Sequence, residues 1–373
     1  MDFALASADD PRRLRVRDWL SRHPDPTSEQ LARAGYVKPR FPAPYGQGAD
    51  VLEELIITEE LASAGVSLPD NAIALGWAAP TLLHFGNAAQ QKRHLWPILT
   101  GEEQWCQLFS EPNSGSDLAS LQTRAERDGE EWVINGQKIW TSGAEVSRYG
   151  MLLARTDPDA PKHRGITWFI CPMRRPGIEI RPIIEMTGNR HFNEVFLTDV
   201  RIPAENVVGE LHAGWRAARY TLANERVALS GGGAIWGTGP SVHDLLERAR
   251  AAGVDRKAHR QELARLYTED KIIHLIGLRI ITDLVAGREP GSIAEIKKLM
   301  ADRAGQRIMN LAKDLAGADG MRTDRGPFGE ETDEWNWGFL FSPALTIGGG
   351  TSQILLNVIA ERMLGLPREP LLK

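Results

Sequence analysis

The chain has few of the residues and patterns that mark several common protein classes. Only two cysteines, Cys106 and Cys171, occur in 373 residues, and each lies in an apolar stretch. Two buried thiols are therefore favoured over a disulfide. The formal net charge of −5 disfavours a nucleic acid as partner. The most apolar helical run, 272–287, is interrupted by His274, Arg279 and Asp283, which argues against membrane insertion. We expect a cytoplasmic protein.

Motifs of other enzyme classes are also missing from the sequence. The nine histidines show no HExxH, HxH or mixed Cys/His spacing, so no metal site is predicted. There is no GxSxG nucleophile elbow and no GxxxxGK[ST] phosphate loop. GGGAIWG at 231–237 has neither a GxGxxG register nor a preceding strand. Any nucleotide cofactor is therefore expected to bind without a Rossmann fold.

The apolar pattern changes twice along the chain, and this predicts three domains. Helical spacing dominates the beginning, as in 51–65, and returns in the long amphipathic segments 259–287 and 293–317. Between them, short β-prone runs are bounded by Gly, Pro, Asp or Asn, which is typical of an antiparallel barrel or sandwich. The predicted domains are an N-terminal helical domain at 1–106, a central β-domain at 107–212 and a C-terminal four-helix bundle at 213–373.

Two local predictions depend on turn residues. Asn135-Gly136 lies between two β-prone runs in WVINGQKIW (132–140). Because both residues tolerate positive φ, this dipeptide predicts a hairpin turn. The polar, Gly-rich stretch 317–339 predicts a loop between the last helices of the bundle.

A hydroxyl-rich turn follows the first predicted strand, in FSEPNSGSD. Gly115 would let backbone N–H groups approach a ligand closely, and the flanking serine hydroxyls could donate hydrogen bonds to it. Taken alone, the same pattern is also typical of a solvated turn with serine caps.

The longer segment that contains this turn, QLFSEPNSGSDLASLQTRAERDGEEWVINGQKIWTSGA (107–144), closely resembles the flavin-binding segment of the acyl-CoA dehydrogenases. The similarity continues through YGMLLARTD, FNEVFLTDVRIPAENVVGE and GW to GGTSQI and ERMLGLPR near the end. It implies an α+β multidomain protein with that family's helix–β–helix fold. It also implies FAD as cofactor, acyl-CoA as substrate, an electron-transfer flavoprotein as acceptor, and a tetramer.

The resemblance assigns roles to individual residues. The residues matching the family's FAD site are Gln107, Leu108, Phe109, Ser110, Gly115, Ser116, Trp140, Thr141, Ser142, Thr351 and Gln353. The residues matching its substrate site are Ser116, Arg226, Gly349 and Gly350. Ser142 would donate to flavin N5, which favours hydride acceptance because negative charge develops on the ring.

The family's reaction converts an acyl-CoA to its trans-2-enoyl-CoA and needs a carboxylate to remove the α-proton. In many members this is a glutamate directly before the Gly-Thr of the C-terminal loop, where this chain has Gly349. A subset, including isovaleryl- and long-chain enzymes, carries the base in a Glu-Arg pair on the first bundle helix. Glu225-Arg226 matches that pair, so Glu225 is the expected base. Taken alone, Glu225 is typical of a solvated helix glutamate.

The chain departs from the family where a neighbouring subunit normally holds the FAD pyrophosphate. The R-x-x-F-G segment is absent, and Arg250 and Gly253 stand in its region. A homo-oligomer or an α₂β₂ hetero-oligomer with a related subunit is therefore expected. Two other functions remain open: a non-catalytic or half-site subunit of a heteromeric dehydrogenase, and a flavin oxidase or monooxygenase. A helix-borne base is compatible with branched or bulky acyl groups, such as steroid or terpenoid side chains.

Overall fold

The computed structural model describes residues 6–228, 234–236, 238–251, 257–288, 291–318, 320 and 334–368. The chain divides into two compact units. The N-terminal unit contains Asp2–Ile183 and Arg190–Asn224, and the C-terminal unit contains Met1, Ile184–Asn189 and Glu225–Lys373. The N-terminal unit thus joins the first predicted domain to most of the second. The two predicted domain boundaries stay predictions.

The N-terminal unit begins with helices. They are α1 (Pro11–Arg22), α2 (Ser28–Arg33), α3 (Val51–Ser63), α4 (Ala79–Phe85) and α5 (Ala88–Leu99), with a π-helical turn at Ala74–Ala78 before α4. The helix predicted at 51–65 is confirmed as α3. Asp50 caps its N-terminus by accepting a hydrogen bond from the backbone N–H of Glu53 at 2.8 Å. Just beyond its end, Gly65 has φ +69°, a conformation that ends a helix and favours glycine.

A single sheet of eight strands follows. The strands are β1 (Trp105–Leu108), β2 (Arg124–Asp128), β3 (Glu131–Ser142), β4 (Tyr149–Arg155), β5 (Ile166–Pro172), β6 (Ile178–Ile183), β7 (Phe192–Pro203) and β8 (Val207–Val208). Their order is β6-β7-β3-β2-β4-β5-β8, and β1 also pairs with β4. The predicted β-region is confirmed, but the sheet is mixed rather than wholly antiparallel, because β1 and β2 both run parallel to β4.

The hairpin predicted at Asn135-Gly136 is wrong. The strand β3 continues through both residues, with an irregularity in its register against β7 between Ile134 and Gly136. The Asn135 side chain bonds Asp199 on β7, with two contacts of 3.0 Å. A β-carbon on Gly136 would lie 2.7 Å from the Cα of Thr123. The dipeptide therefore serves a strand irregularity and a close backbone approach, which share the residue preferences of a turn.

The central strands are buried on both faces, which explains their nearly continuous apolar sequence. On β4, Met151 and Leu153 pack in the same core as the N-terminal helices, whereas Leu152 and Ala154 pack in a second core. This alternation follows from the two-residue period of a strand. Cys106 and Cys171 are both buried and free, which confirms the prediction of two thiols.

The C-terminal unit is helical. Its helices are α7 (Val242–Ala251), α8 (Lys257–Val285), α9 (Ile293–Ala316), α10 (Glu334–Phe341) and α11 (Ser352–Val358), and α6 (Gly214–Ala228) leads into it from the N-terminal unit. The stretch predicted as a loop at 317–339 lies partly outside the described residues. For the last part of this stretch the loop prediction is wrong, because Glu334–Phe341 is helical. The rings of Trp337 and Phe341 stack in this helix, with centroids 4.9 Å apart. None of the helices in the described part of the chain is long and apolar enough to cross a membrane.

Candidate active site

The serine-rich turn after β1 is closed by its own backbone. Glu111 and Ser114 exchange two backbone hydrogen bonds of 3.0 Å, and the Ser114 hydroxyl donates to the carbonyl of Asp117 at 2.7 Å. At the tip, Gly115 and Ser116 are exposed. A β-carbon on Gly115 would meet no atom within 4 Å. The turn is therefore internally fixed while its glycine tip remains open to a ligand.

A buried ion pair fixes this turn to β3. The fully buried ammonium of Lys138 donates to Glu111 at 2.8 Å and to the carbonyl of Phe109 at 3.1 Å. The same carboxylate accepts the backbone N–H groups of Gln122 and Thr123 at 2.6 and 2.9 Å. Burial alone would raise the pKa of Glu111, but Lys138 and these hydrogen bonds lower it below its usual range. Burial lowers the pKa of Lys138 to about 8.

Two residues after Lys138, the strand presents an exposed tryptophan in an unusual conformation. Trp140 has φ +60°, a left-handed value that costs a residue with a β-carbon about 1–2 kcal/mol. Its side chain is 57% exposed, at an irregularity in the register of β3 and β7. Backbone strain that presents an exposed aromatic ring is typical of ligand sites. Its ring meets that of Phe192 edge to face, with centroids 6.0 Å apart.

The residues next to Trp140 offer polar atoms to a ligand. The hydroxyl of Thr141 is buried and has no hydrogen-bond partner within the described part of the chain, although such groups are nearly always paired. Ser142 is half-buried at the end of β3. A planar heterocycle with ring nitrogens and carbonyls, such as isoalloxazine, would use both the ring of Trp140 and these hydroxyls. The residues present therefore fit the flavin ring.

Other residues predicted around the flavin lie on β1 or in the serine-rich turn that follows it. Leu108 and Phe109 are buried in the cores of the N-terminal unit, so their side chains are committed to packing. The carbonyl of Ser110 accepts the N–H of Ile139 at 3.0 Å, which places this turn beside β3. Gln107 is half-buried on β1. The structure thus brings residues 107–116 and 138–142 together within one unit.

Glu225 lies on the buried face of α6. It is 7% exposed and follows Thr221 by one helical turn, so both occupy the same face. Thr221 is fully buried and bonds Thr81 at 2.9 Å. The interpretation of Glu225 as an ordinary solvated glutamate is therefore wrong. The side chain of Arg226 lies outside the described residues.

The C-terminal glycine loop, residues 348–350, has a backbone conformation that favours glycine. Gly349 has φ +64° and Gly350 has φ +101°, both in the region that favours glycine. The loop then enters α11 at Thr351, whose hydroxyl accepts the N–H of Ile354 at 3.2 Å. Gln353 is exposed on the first turn. A glutamate at position 349 would have to adopt this left-handed backbone, at a cost of about 1–2 kcal/mol.

The region that corresponds to the family's R-x-x-F-G segment lies only partly within the described residues. Arg250 is exposed near the end of α7. Gly253 lies outside the described residues. Sequence reasoning also missed two buried lysines, Lys138 and Lys298, because a lysine in a β-run or a helix is usually solvated.

Comparisons with known proteins cover the whole helix–β–helix order. Three family models match, namely the N-terminal, middle and C-terminal domains of acyl-CoA dehydrogenase, at residues 6–102, 106–200 and 212–364. The chain belongs to the acyl-CoA dehydrogenase family. The predicted family, fold class and enzyme class, an oxidoreductase acting on acyl-CoA, are confirmed.

Two curated relatives from Mycobacterium tuberculosis (strain ATCC 25618 / H37Rv) support the assignment. The acyl-CoA dehydrogenase FadE34 is 46% identical over 91% of this chain, and the match covers 46% of FadE34. The acyl-CoA dehydrogenase IpdE1 is 39% identical over 92% of this chain and 88% of IpdE1. The chain therefore spans less than half the length of one relative and most of the other.

Two solved structures share the fold of this chain, at nearly equal sequence identity to it. The Tcur3481-Tcur3483 steroid ACAD matches with a TM-score of 0.78 and 27% identity, covering 99% of this chain and 100% of that chain. The ChsE4-ChsE5 complex from Mycobacterium tuberculosis matches with a TM-score of 0.78 and 28% identity, with the same coverage. Both names join two designations, and that of ChsE4-ChsE5 describes a complex.

Proposed function

We propose that this chain catalyses the FAD-dependent α,β-dehydrogenation of an acyl-CoA thioester to the trans-2-enoyl-CoA, with electrons passed to an electron-transfer flavoprotein. The observation that carries the proposal concerns the two places where the family's catalytic base can lie: one holds a carboxylate and the other does not. Glu225 is a buried carboxylate at the place of the helix-borne base, while the alternative place is a glycine with φ +64°. Family membership supports the reaction class.

Each group has a separate task in this proposal. Glu225 takes the α-proton as the general base. Backbone N–H groups of Gly349 and Gly350 donate to the thioester oxygen, which makes the α-proton more acidic. FAD, when bound, supplies the oxidant that accepts hydride from the β-carbon. Ser142 donates toward the flavin, and Ser116 contacts the CoA part of the substrate.

The remaining cofactor and substrate assignments belong to the same proposal. The Trp140 ring flanks the flavin, Thr351 and Gln353 reach it from the C-terminal loop, and Arg226 orients Glu225. We also propose domain boundaries near residues 106 and 212, which the family-model limits support.

We propose a bulky acyl group, such as a steroid or terpenoid side chain. The name of one structural neighbour describes a steroid ACAD. The position of Glu225 on α6, with a glycine at position 349 of the C-terminal loop, is compatible with such a group.

A hetero-oligomer with a related subunit accounts best for the missing R-x-x-F-G segment. The names of two structural neighbours each join two designations, one of them described as a complex, and FadE34 is about twice as long as this chain. A related subunit or domain that carries the pyrophosphate arginine could complete the FAD site. This chain would contribute Glu225 and the flavin-ring residues.

We expect the chain purified alone to contain less than one FAD per chain. The flavin-ring half of the site would be intact, but the charge-assisted contacts to the pyrophosphate would be absent. Flavin released by denaturation should be quantified against protein, together with the mass of the assembly. Co-expression with a related subunit should raise the ratio. A homotetramer with one tightly bound FAD per chain would contradict the heteromeric assembly.

Gly115→Ala should weaken FAD binding by about tenfold or more while leaving the apoprotein's stability within about 0.5 kcal/mol. The added methyl meets no protein atom within 4 Å, so only a ligand against the turn would feel it. Titration of apoprotein with FAD, alongside thermal unfolding, separates the two effects. Gly129→Ala, at an open position outside the site, is the control for FAD affinity: because φ at Gly129 is +58°, the alanine should cost about 1–2 kcal/mol of stability without changing the affinity. Unchanged affinity in Gly115→Ala would support a simple solvated turn.

An anaerobic panel of acyl-CoAs tests the function directly. Straight-chain, branched, steroid and terpenoid thioesters should be mixed with flavin-loaded protein, and loss of oxidised-flavin absorbance should be recorded. We expect the fastest loss with a bulky acyl group. Rapid oxygen consumption by the reduced protein would instead indicate an oxidase or monooxygenase. A panel without any reduction would indicate a non-catalytic subunit.

A further inference from the structure

Building on the proposed function, we propose that Lys298 and Asp302 position the C-terminal glycine loop for binding the thioester oxygen. Neither residue is among those that the sequence assigns to a site. Both are positioning residues in this inference, because they act through the backbone of residues 345–350 and not on the substrate itself.

Lys298 binds the loop from within the C-terminal unit. Its side chain is 1% exposed, and its ammonium lies 3.0 Å from the carbonyl of Gly348, 3.4 Å from that of Gly350 and 3.5 Å from that of Leu345. One cation thus gathers three carbonyls from a six-residue stretch. An ammonium has three donors, so the loop occupies most of its capacity.

Asp302 supplies the counter-charge one helical turn later. Its carboxylate is 3% exposed and lies 2.7 Å from the ammonium of Lys298. Burial raises the pKa of Asp302 to about 6, although Lys298 opposes the change. An unpaired buried ammonium would be strongly unfavourable, so Asp302 makes the position of Lys298 possible.

The same face of α9 packs closely against the loop at further positions. A β-carbon on Gly305 would lie 2.9 Å from the side chain of Leu345. Gln306 donates to the carbonyl of Ser342 at 3.1 Å and to the hydroxyl of Thr346 at 3.2 Å. The helix therefore contacts the loop from its start to its glycines, with Lys298 at the glycine end.

Because a peptide unit is planar, the carbonyls that Lys298 binds also determine where the N–H groups of the same units point. In a trans peptide the N–H points opposite to the C=O of the same unit. The Gly348 carbonyl shares its peptide unit with the N–H of Gly349, so binding the carbonyl turns this N–H away from Lys298. The same holds for the Gly350 carbonyl and the N–H of Thr351. Lys298 thereby fixes the orientation of the Gly349 donor that the proposed reaction uses.

The test compares three variants of the flavin-loaded protein in its active assembly. Lys298→Met removes the ammonium and leaves Asp302 buried without it. Lys298→Met/Asp302→Leu removes the pair and should recover much of the lost stability, because an apolar pair often replaces a buried ion pair at little cost. Lys297→Met is the matched control. The ammonium of Lys297 lies near α8, 3.6 Å from the position that a β-carbon on Gly277 would occupy.

We expect the kcat of the double variant to fall about 10- to 100-fold, comparable to the weakening of one oxyanion donor, with KM changed much less. Lys297→Met should retain the wild-type kcat. A double variant with wild-type kcat would overturn the inference, as would a loss confined to KM. Wild-type protein that does not oxidise any acyl-CoA would overturn the proposed function, and the positioning role with it.

Discussion

Glu225→Gln is expected to slow reduction of the bound flavin by acyl-CoA by about 10²–10⁴-fold, or about 3–5 kcal/mol in the barrier. Glutamine keeps the size and much of the hydrogen bonding of the side chain but cannot accept the α-proton. Stopped-flow absorbance under anaerobic conditions would measure the rate. Flavin content and acyl-CoA binding should change little. Reduction within tenfold of the wild-type rate would show that Glu225 is not the base.

Glu210→Gln is the control for this substitution. Glu210 is an exposed glutamate shortly before α6, so the same chemical change there should leave the rate unaffected. Comparable losses in both variants would indicate a general effect of removing negative charge, and the assignment of the base would fail.

A carboxylate introduced at position 349 tests whether positions 225 and 349 both face the α-carbon of the substrate. Gly349→Glu in the Glu225→Gln background should recover part of the activity if both positions face the same α-carbon. Recovery should be incomplete, because φ at Gly349 is +64° and a left-handed conformation costs about 1–2 kcal/mol for other residues. The single Glu225→Gln substitution therefore carries the decision.

The second large effect is expected at Lys138, the buried cation beneath the serine-rich turn. Lys138→Met should destabilise the protein by about 3–5 kcal/mol, because Glu111 would remain buried without its charged partner. It should also lower FAD affinity, since the turn loses its attachment to β3. Urea unfolding of the apoprotein and FAD titration would measure the two effects separately.

A matched substitution shows whether the effect belongs to the buried pair. Lys162→Met removes another lysine ion pair of this turn, between Lys162 and Asp117 at 2.9 Å, but both side chains are about half exposed. Exposed pairs contribute about 0–1 kcal/mol, so this variant should be nearly as stable as the wild type. Equal losses of stability in the two variants would contradict the role given to Lys138.

The sequence predicts the fold order and the residues around the flavin ring because their patterns are local. Strand and helix periods locate most elements, and the segment 107–144 carries a long specific motif. Burial of Glu225 could be anticipated only from the empty position 349, because helix glutamates are usually solvated. The structure adds what the sequence pattern could not show, namely that Glu225 lies on the buried face of α6, together with Thr221.

Other features could not be predicted, because they depend on contacts distant in sequence. Asn135-Gly136 has the composition of a hairpin turn, yet its conformation is set by Thr123 and Asp199 on neighbouring segments. Lys298 resembles any helix lysine until the loop some fifty residues later folds against it. Buried charges of this kind are decided by tertiary partners rather than by local preference.

The most direct measurement is a single anaerobic turnover of the fully flavin-loaded assembly with a reactive acyl-CoA. The proposed function predicts that one trans-2-enoyl-CoA forms for each flavin reduced, that the wild type is fast, and that Glu225→Gln is slower by about 10²–10⁴. It also predicts that an electron-transfer flavoprotein, rather than oxygen, restores the oxidised flavin. An intact, flavin-loaded wild-type assembly that forms no enoyl-CoA, or a Glu225→Gln variant that forms it at the wild-type rate, would contradict the proposed function.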